Sequence, residues 1–223
     1  MSQPGRADET SEPRLSGKDV AHWLREQISS GHFVPGQRLV EADLMRETGA
    51  SRARVREAIQ RLESEGLLTV EEFRGASVKR FSDEEMRQIY RARMALEGMA
   101  AHDFAAYGSA EQKAKLAAMQ EVLNACETDG DHGRFVACND RWHGLIIEGA
   151  GNAYISSFVE RLGIPVKRVL FSTFYSAHRI DRANEDHRRI TKAIIEGRAL
   201  DADAAMRAHI EKGLEALLEI SRR

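Results

Sequence analysis

Apart from one short segment, every apolar period in this chain is helical. The exception is a pair of β-like runs, Leu67 to Val70 and Ala76 to Val78, joined by a turn through Arg74-Gly75. Ahead of it, Val20, Trp23, Leu24 and Ile28 recur at helical spacings up to a stop at Gly31, and Pro35-Gly36 makes a turn. A short helix is expected from about Glu41 to Thr48, closed by Gly49. A third starts at Ser51, which suits an N-cap, buries Val55, Ala58, Ile59 and Leu62, and ends at Gly66. Three helices and a small hairpin in about 65 residues is the plan of a winged helix-turn-helix.

Past Arg80 the periods stay helical to the end, with breaks near Gly108, Gly130, Gly151, Gly163 and Gly197, and Ser82 is placed to cap the first of these helices. The expected fold is mainly α: a polar, disordered tail over 1–14, a winged helix-turn-helix over 15–80, and an all-α bundle of about six helices over 82–223. Of 223 residues, 33 are Lys or Arg and 35 Asp or Glu, a net charge of -2, which excludes a uniformly basic nucleic-acid coat but allows a local basic patch. No apolar run approaches the roughly 18 residues of a membrane span, and no signal-peptide stretch opens the chain, so no membrane partner is expected. Cys126 and Cys138, the only cysteines, neither frame a disulfide scaffold nor match a CxxC pattern, which points to a reducing, cytoplasmic setting.

Such a patch exists. Arg52, Arg54, Arg56 and Arg61 lie between Ser51 and Arg61 with Glu57 the only acid among them. Arg52 and Arg56, four apart, share a helix face, and Arg54 lies off it. Guanidinium forks at the front of an exposed helix reach phosphates and guanine edges in a major groove. By itself such a cluster reads equally well as a solvated charged face. Around it, however, stand Ile28-x-x-Gly31, Pro35-Gly36-x-x-Leu39-x-Glu41-x-x-Leu44, Gly49-x-Ser51-Arg52 and Val55-Arg56-Glu57-Ala58-Ile59-x-Arg61-Leu62-Glu63-x-x-Gly66-Leu67. This string closely resembles the GntR family of bacterial transcription regulators. The resemblance implies that Ser51, Arg52, Ala53, Arg54 and Arg56 sit where the recognition helix meets operator DNA, with Arg74-Gly75 as the wing tip beside the minor groove. Ala53-Arg54 replaces the Thr-Pro pair common in the family, and Ala42 replaces an arginine that some relatives place on DNA. Glu57, Arg61 and Glu63 are read as ion pairs that orient the helix, each worth about 0.3–0.5 kcal/mol.

In the second half, polar residues interrupt apolar stripes. Asn139 and His143 share the face of Phe135, Trp142 and Ile146; His187 shares that of Ile190 and Ile194; His209 borders Met206, Ile210, Leu214 and Leu217. Each alone reads as an ordinary core or surface residue. Three helices that each aim a donor inward fit a divalent metal ion such as Zn²⁺ or Ni²⁺ with open positions, because unpaired buried polar groups are costly. Tyr90-x-x-Arg93-x-x-x-Glu97-x-x-Ala100-Ala101, Asn139-x-x-Trp142-His143-x-x-Ile146, Gly151-Asn152, His187-Arg188-x-Ile190-x-x-Ala193-Ile194 and His209-Ile210 resemble the FadR-type, or FCD, ligand-binding domain of GntR regulators. The resemblance implies a metal held by Asn139, His143, His187 and His209. Asp is commoner at position 139, and Asp140, about 100° around the helix, is the second choice. His102, His132 and His178 match no ligand position and are read as surface or packing residues. Arg93 falls in the stripe of Met86, Ile89, Leu96, Ala100 and Phe104, and a guanidinium there needs an anion. Glu97 is one candidate; the carboxylate of an effector, held bidentately as the resemblance implies, is the other.

The expected function is a ligand-responsive, homodimeric regulator, acting as a repressor on double-stranded operator DNA of a carboxylic-acid metabolism or transport operon. Its effector would be a small organic acid bound at the metal site. The competing reading is a metal-dependent hydrolase fused to a DNA-binding domain. HExxH is absent and Asp140, the nearest acid, lies off the face, so a non-enzyme is expected.

Overall fold

The computed structural model describes residues 15–162 and 177–221. The chain divides into two compact units, Met1–Arg80 and Phe81–Arg223.

The first unit opens with α1 (Gly17–Ser29), started by a capping box in which Ser16 and Asp19 satisfy each other's backbone amides. There follow β1 (Arg38–Leu39), α2 (Glu41–Thr48), α3 (Arg52–Ser64), β2 (Leu68–Glu71) and β3 (Gly75–Val78). The strands form one antiparallel sheet in the order β1-β3-β2, with Leu68 opposite Val78, Glu71 opposite Gly75 and Arg38 opposite Ser77. The two-residue β1 is absent from the sequence reading because it is too short to show a period. Val20, Leu24, Ile28, Leu44, Val55, Ala58, Leu62, Leu67 and Val78 close the core, with α1 packed on α3. Ser51 stands at the N-cap of α3 with extended backbone, but its side chain makes no capping bond, which corrects the capping role expected of its hydroxyl. Arg61 pairs with Glu65, which Arg25 also grips through two guanidinium nitrogens; its partner is therefore neither Glu57 nor Glu63.

The second unit is helical throughout its described residues: α4 (Asp83–Tyr107), α5 (Ala110–Asp129), α6 (His132–Gly149), α7 over 153–162, α8 (Ala177–Ile195) and α9 (Ala199–Ser221). Ser82 with Glu85 and Ser109 with Gln112 form capping boxes for α4 and α5, and left-handed Gly130 ends α5. Helix α4 packs chiefly on α9. A side chain at Gly98 would collide with Asp203 and Arg207, so this glycine sets how closely the two helices approach. Phe104, Phe135, Trp142, Ile146, Ile190, Ile194 and Met206 are fully buried at the centre. Among the described residues no helix is long and apolar enough to cross a membrane. The expected tail over 1–14, the break at Gly163 and the side chains of His132 and His178 lie outside what is described.

Candidate functional site

The sequence-predicted residues fall into two sets, one in each unit. In the first, Ser51, Arg52, Ala53, Arg54 and Arg56 are all exposed at the front of α3. Glu41, the first residue of α2, holds two of them: its Oε1 accepts from Arg56 Nε at 2.8 Å, and its Oε2 lies 3.8 Å from Arg52 Nε. Both side chains stay about two-thirds exposed, Arg52 at 68% and Arg56 at 64%. Arg54 turns to the Leu15 carbonyl instead, which fits a position off the shared face. At the hairpin tip Arg74 pairs with Glu71 at 3.1 Å, followed by left-handed Gly75.

In the second unit, ligand-type nitrogens of His143, His187 and His209, one each from α6, α8 and α9, lie within 4.8 Å of one another. The Nε2 atoms of His187 and His209 are 3.3 Å apart. Two nitrogens binding one ion at about 2.0–2.1 Å would have a similar separation. His143 turns Nδ1 to Glu97 Oε2 at 2.9 Å, and His209 turns Nδ1 toward Asp186, whose carboxylate also accepts from Lys212 at 2.8 and 2.9 Å. A carboxylate behind a ring nitrogen fixes tautomer and orientation, as it does behind ligating histidines. Trp142 packs against all three rings, nearest to His187 with centroids 4.4 Å apart. Trp142 is itself held through Nε1 by Thr191, at the inner end of a hydrogen-bonded chain that runs through buried Gln120 and Asn184 out to Glu127 and the exposed Arg188.

Burial, and then the neighbouring imidazoles, push the His187 pKa well below its ordinary value; burial also lowers that of His209, against the pull of Asp186. Both rings are therefore neutral near pH 7 and keep a lone pair for an acceptor. Among the described residues His187 Nδ1 is buried with no hydrogen-bond partner. The donor set thus fits a divalent ion: three converging imidazoles, two of them backed by carboxylates. Asn139, 8% exposed, sits one turn before His143. Asp140, half-buried, lies outside the histidine cluster, and its charge acts on Arg93.

Arg93, on α4, donates Nε to Glu97 Oε1 at 2.6 Å, so the structure shows the ion-pair alternative for this residue. Glu97 is only 1% exposed and bridges Arg93 and His143. Burial alone would raise its pKa; the Arg93 charge and the bonds from His143 and Arg93 outweigh burial and hold it at about 2. Sequence reasoning found the Arg93–Glu97 pair by its helical spacing and missed the second hydrogen bond, because that needs α4 packed on α6. It also missed Asp186. The only local signal was a carboxylate directly before His187, and the residues it faces, Lys212 and His209, are on another helix.

With this geometry in place, the profile of the FCD domain matches residues 88–212, and that of bacterial regulatory proteins of the gntR family matches residues 17–78. The chain belongs to the GntR family. It is a transcription regulator of the GntR/FCD type, with a winged helix-turn-helix ahead of a helical C-terminal domain. It is 29% identical over 217 residues to the "Probable D-xylose utilization operon transcriptional repressor" of Paenarthrobacter nicotinovorans, covering 94% of this chain and 93% of that protein. It is 26% identical over 207 residues to the HTH-type transcriptional repressor GlaR of Escherichia coli (strain K12), covering 88% and 93%. Among solved structures, E. coli McbR/YncC superposes with a TM-score of 0.79 at 21% identity over 92% of this chain and 98% of that one, a likeness of fold.

Proposed function

We propose that this GntR/FCD regulator is a homodimeric repressor that releases its operator when a small organic acid binds beside a divalent metal ion in the second unit. The N-terminal domain, taken as residues 15–80, would set α3 in the major groove. There Arg52 and Arg56 read base edges or phosphates, Ser51, Ala53 and Arg54 flank them, and Arg74-Gly75 lies at the minor groove. In the C-terminal domain, taken as 82–223, His143, His187 and His209 would hold the ion with Asn139 as oxygen donor. A bound Zn²⁺ or Ni²⁺ would supply positive charge and open positions for an anionic oxygen. Arg93 gives Nε to Glu97, so an acid would be held by the terminal nitrogens of the fork. The repressor reading draws support from the relatives named repressors.

The observation that carries this reading is the convergence of three mostly buried imidazoles, the two deepest of them neutral, joined through Glu97 to a largely buried arginine. The same site argues against hydrolysis. Glu97, a buried acid bonded to one of these imidazoles, is pinned by two donors at a pKa of about 2, whereas a general base works best near the operating pH. A ligand shifts operator affinity only by its differential affinity for two arrangements of the dimer, a coupling of about 1–3 kcal/mol. The test is a calorimetric titration of the full chain with mono-, di- and tricarboxylates, paired with operator binding. Arg93→Lys keeps a cation for Glu97 but loses the planar fork. It should bind operator as wild type does and lose most of its acid response; a Lys variant that responds as wild type would remove Arg93 from the effector site.

A further inference from the structure

Two of the three converging imidazoles have a carboxylate behind them, and the third does not. His143 turns Nδ1 to Glu97 at 2.9 Å, and His209 turns Nδ1 toward Asp186 at 3.8 Å. His187 is the deepest of the three, and its Nδ1 has no hydrogen-bond partner among the described residues. Its Nε2 faces His209 at 3.3 Å, on the side where an ion would sit, so that contact cannot hold the ring against an ion. Packing is left to set the ring's angle. Phe135 and Trp142 stand two turns apart on one face of α6, and their ring centroids are 6.1 and 4.4 Å from that of His187, which places its ring between theirs.

The nearer ring is itself fixed by a chain of hydrogen bonds that runs in one direction. Trp142 Nε1–H, which can only donate, gives to Thr191 Oγ1 at 3.0 Å, and Thr191 gives its hydroxyl proton to Gln120 Oε1 at 3.1 Å. Gln120 Nε2 gives to Asn184 Oδ1 at 2.8 Å, and Asn184 Nδ2 gives to the Glu127 carboxylate, which also accepts from Arg188. With a pure donor at one end and an acceptor at the other, neither amide can flip without leaving a buried group unpaired. Gln120, Asn184 and Thr191 are all buried. Polar groups in such a place are costly unless every one is paired, and a network that is satisfied in one way specifies one packing. Here the packing it specifies is the tilt of the indole.

We infer that Thr191, Gln120 and Asn184 are positioning residues for His187. Through the Trp142 indole they hold the one proposed histidine ligand that lacks a carboxylate at the angle that lets it converge with His143 and His209. This rests on the metal reading above.

The experiment uses the full chain, Zn²⁺ with a competing chromophoric chelator, and spectra of the metal-free protein labelled with ¹⁵N in its histidines. Thr191→Val keeps the side chain's shape and removes the hydroxyl that joins Trp142 to Gln120. It should bind Zn²⁺ about tenfold or more weakly, as happens when other groups behind a ligand are removed. In the metal-free protein its His187 ring signal should broaden or split, while that of His143, pinned by Glu97, stays single. Thr191→Ser restores the hydroxyl and should return both readouts to wild type. Glu127→Gln alters only the outer, partly exposed link and should give a smaller loss in the same direction. A role in packing alone would lower the melting temperature of Thr191→Val and leave its Zn²⁺ affinity and His187 signal as in wild type. That result overturns the proposal, and so does an unchanged Glu127→Gln if Thr191→Val does not fold. A wild type that binds neither Zn²⁺ nor Ni²⁺ would instead reject the metal reading, and the His187 signal of the metal-free protein would still decide whether the chain of hydrogen bonds holds the ring.

Discussion

Glu97 in the second unit and Glu41 in the first have the same local geometry and different surroundings. Each carboxylate gives one oxygen to an arginine Nε, at 2.6 Å from Arg93 and 2.8 Å from Arg56, and turns the other to a second nitrogen-bearing side chain, His143 or Arg52. Glu97 is 1% exposed and Glu41 33%. Water decides what each arrangement is for. In the interior, unpairing a charge leaves its partner stranded in low dielectric, so the Glu97 bridge is fixed architecture behind the histidines. At the surface, solvent replaces a lost partner, so Arg52 and Arg56 can leave Glu41 for DNA at little cost. The proposed function calls for both: an effector pocket whose donors stay fixed, and a DNA-facing helix whose cations can exchange partners.

The largest effect that would break this comparison is on stability. Glu97→Ala strands Arg93 and frees His143, and should cost about 3–5 kcal/mol in denaturant unfolding. Glu41→Ala should cost under about 1 kcal/mol. Equal losses would mean that burial is not what separates the two. Next in size is metal retention. Asp186→Ala removes the carboxylate behind His209, together with its Lys212 pair, but no proposed ligand, and should lower affinity about 10–100-fold. His187→Ala removes a proposed ligand and should lower it further, towards no bound metal after purification. Elemental analysis and competition with a chromophoric chelator measure both. Full occupancy in His187→Ala would reject the ligand set.

The two regions also differed in how legible they were. The arginine cluster of α3 was plain in the sequence: spacing placed Arg52 and Arg56 on one face and Arg54 off it, and helix periodicity needs only local sequence. The histidines were legible for the same reason, each lying on or at the edge of its own helix's stripe. What surrounds them was not. Glu97 to His143 is a contact between residues 46 apart, and Asp186 to His209 joins two helices; neither leaves a mark in any local period. Phe73 escaped for the opposite reason. A phenylalanine between short strand-like runs passes for an ordinary sheet residue, and only the backbone shows it at a left-handed turn position with its ring in solvent.

The third effect lies on DNA. Arg52→Ala should cost around 1–3 kcal/mol of operator binding and relax base preference, measured at fixed salt against selected and scrambled duplexes. Untouched affinity and preference would mean that α3 does not dock as proposed.

The smallest effect tests the exposed bridge itself. Glu41→Gln keeps an oxygen for Arg56 and removes one negative charge, so stability should move by no more than about 0.5 kcal/mol. On DNA two consequences oppose each other. Losing an acid from a surface that faces phosphates strengthens binding to every sequence and steepens the salt dependence by up to about one unit. Losing the charge that aims both forks returns rotamer freedom to Arg52 and Arg56, and that freedom must be surrendered again at the operator, where their geometry counts. Non-specific affinity should therefore rise more than operator affinity, and the ratio between them should fall several-fold. Titrations of both duplexes at three salt concentrations separate the terms, because the charge effect changes with salt and the aiming effect does not. If both affinities rose together and the ratio held, Glu41 would be only a neighbouring charge. The arginines would then owe their aim to α3 alone, and the likeness between the two bridges would be one of distances without a shared role.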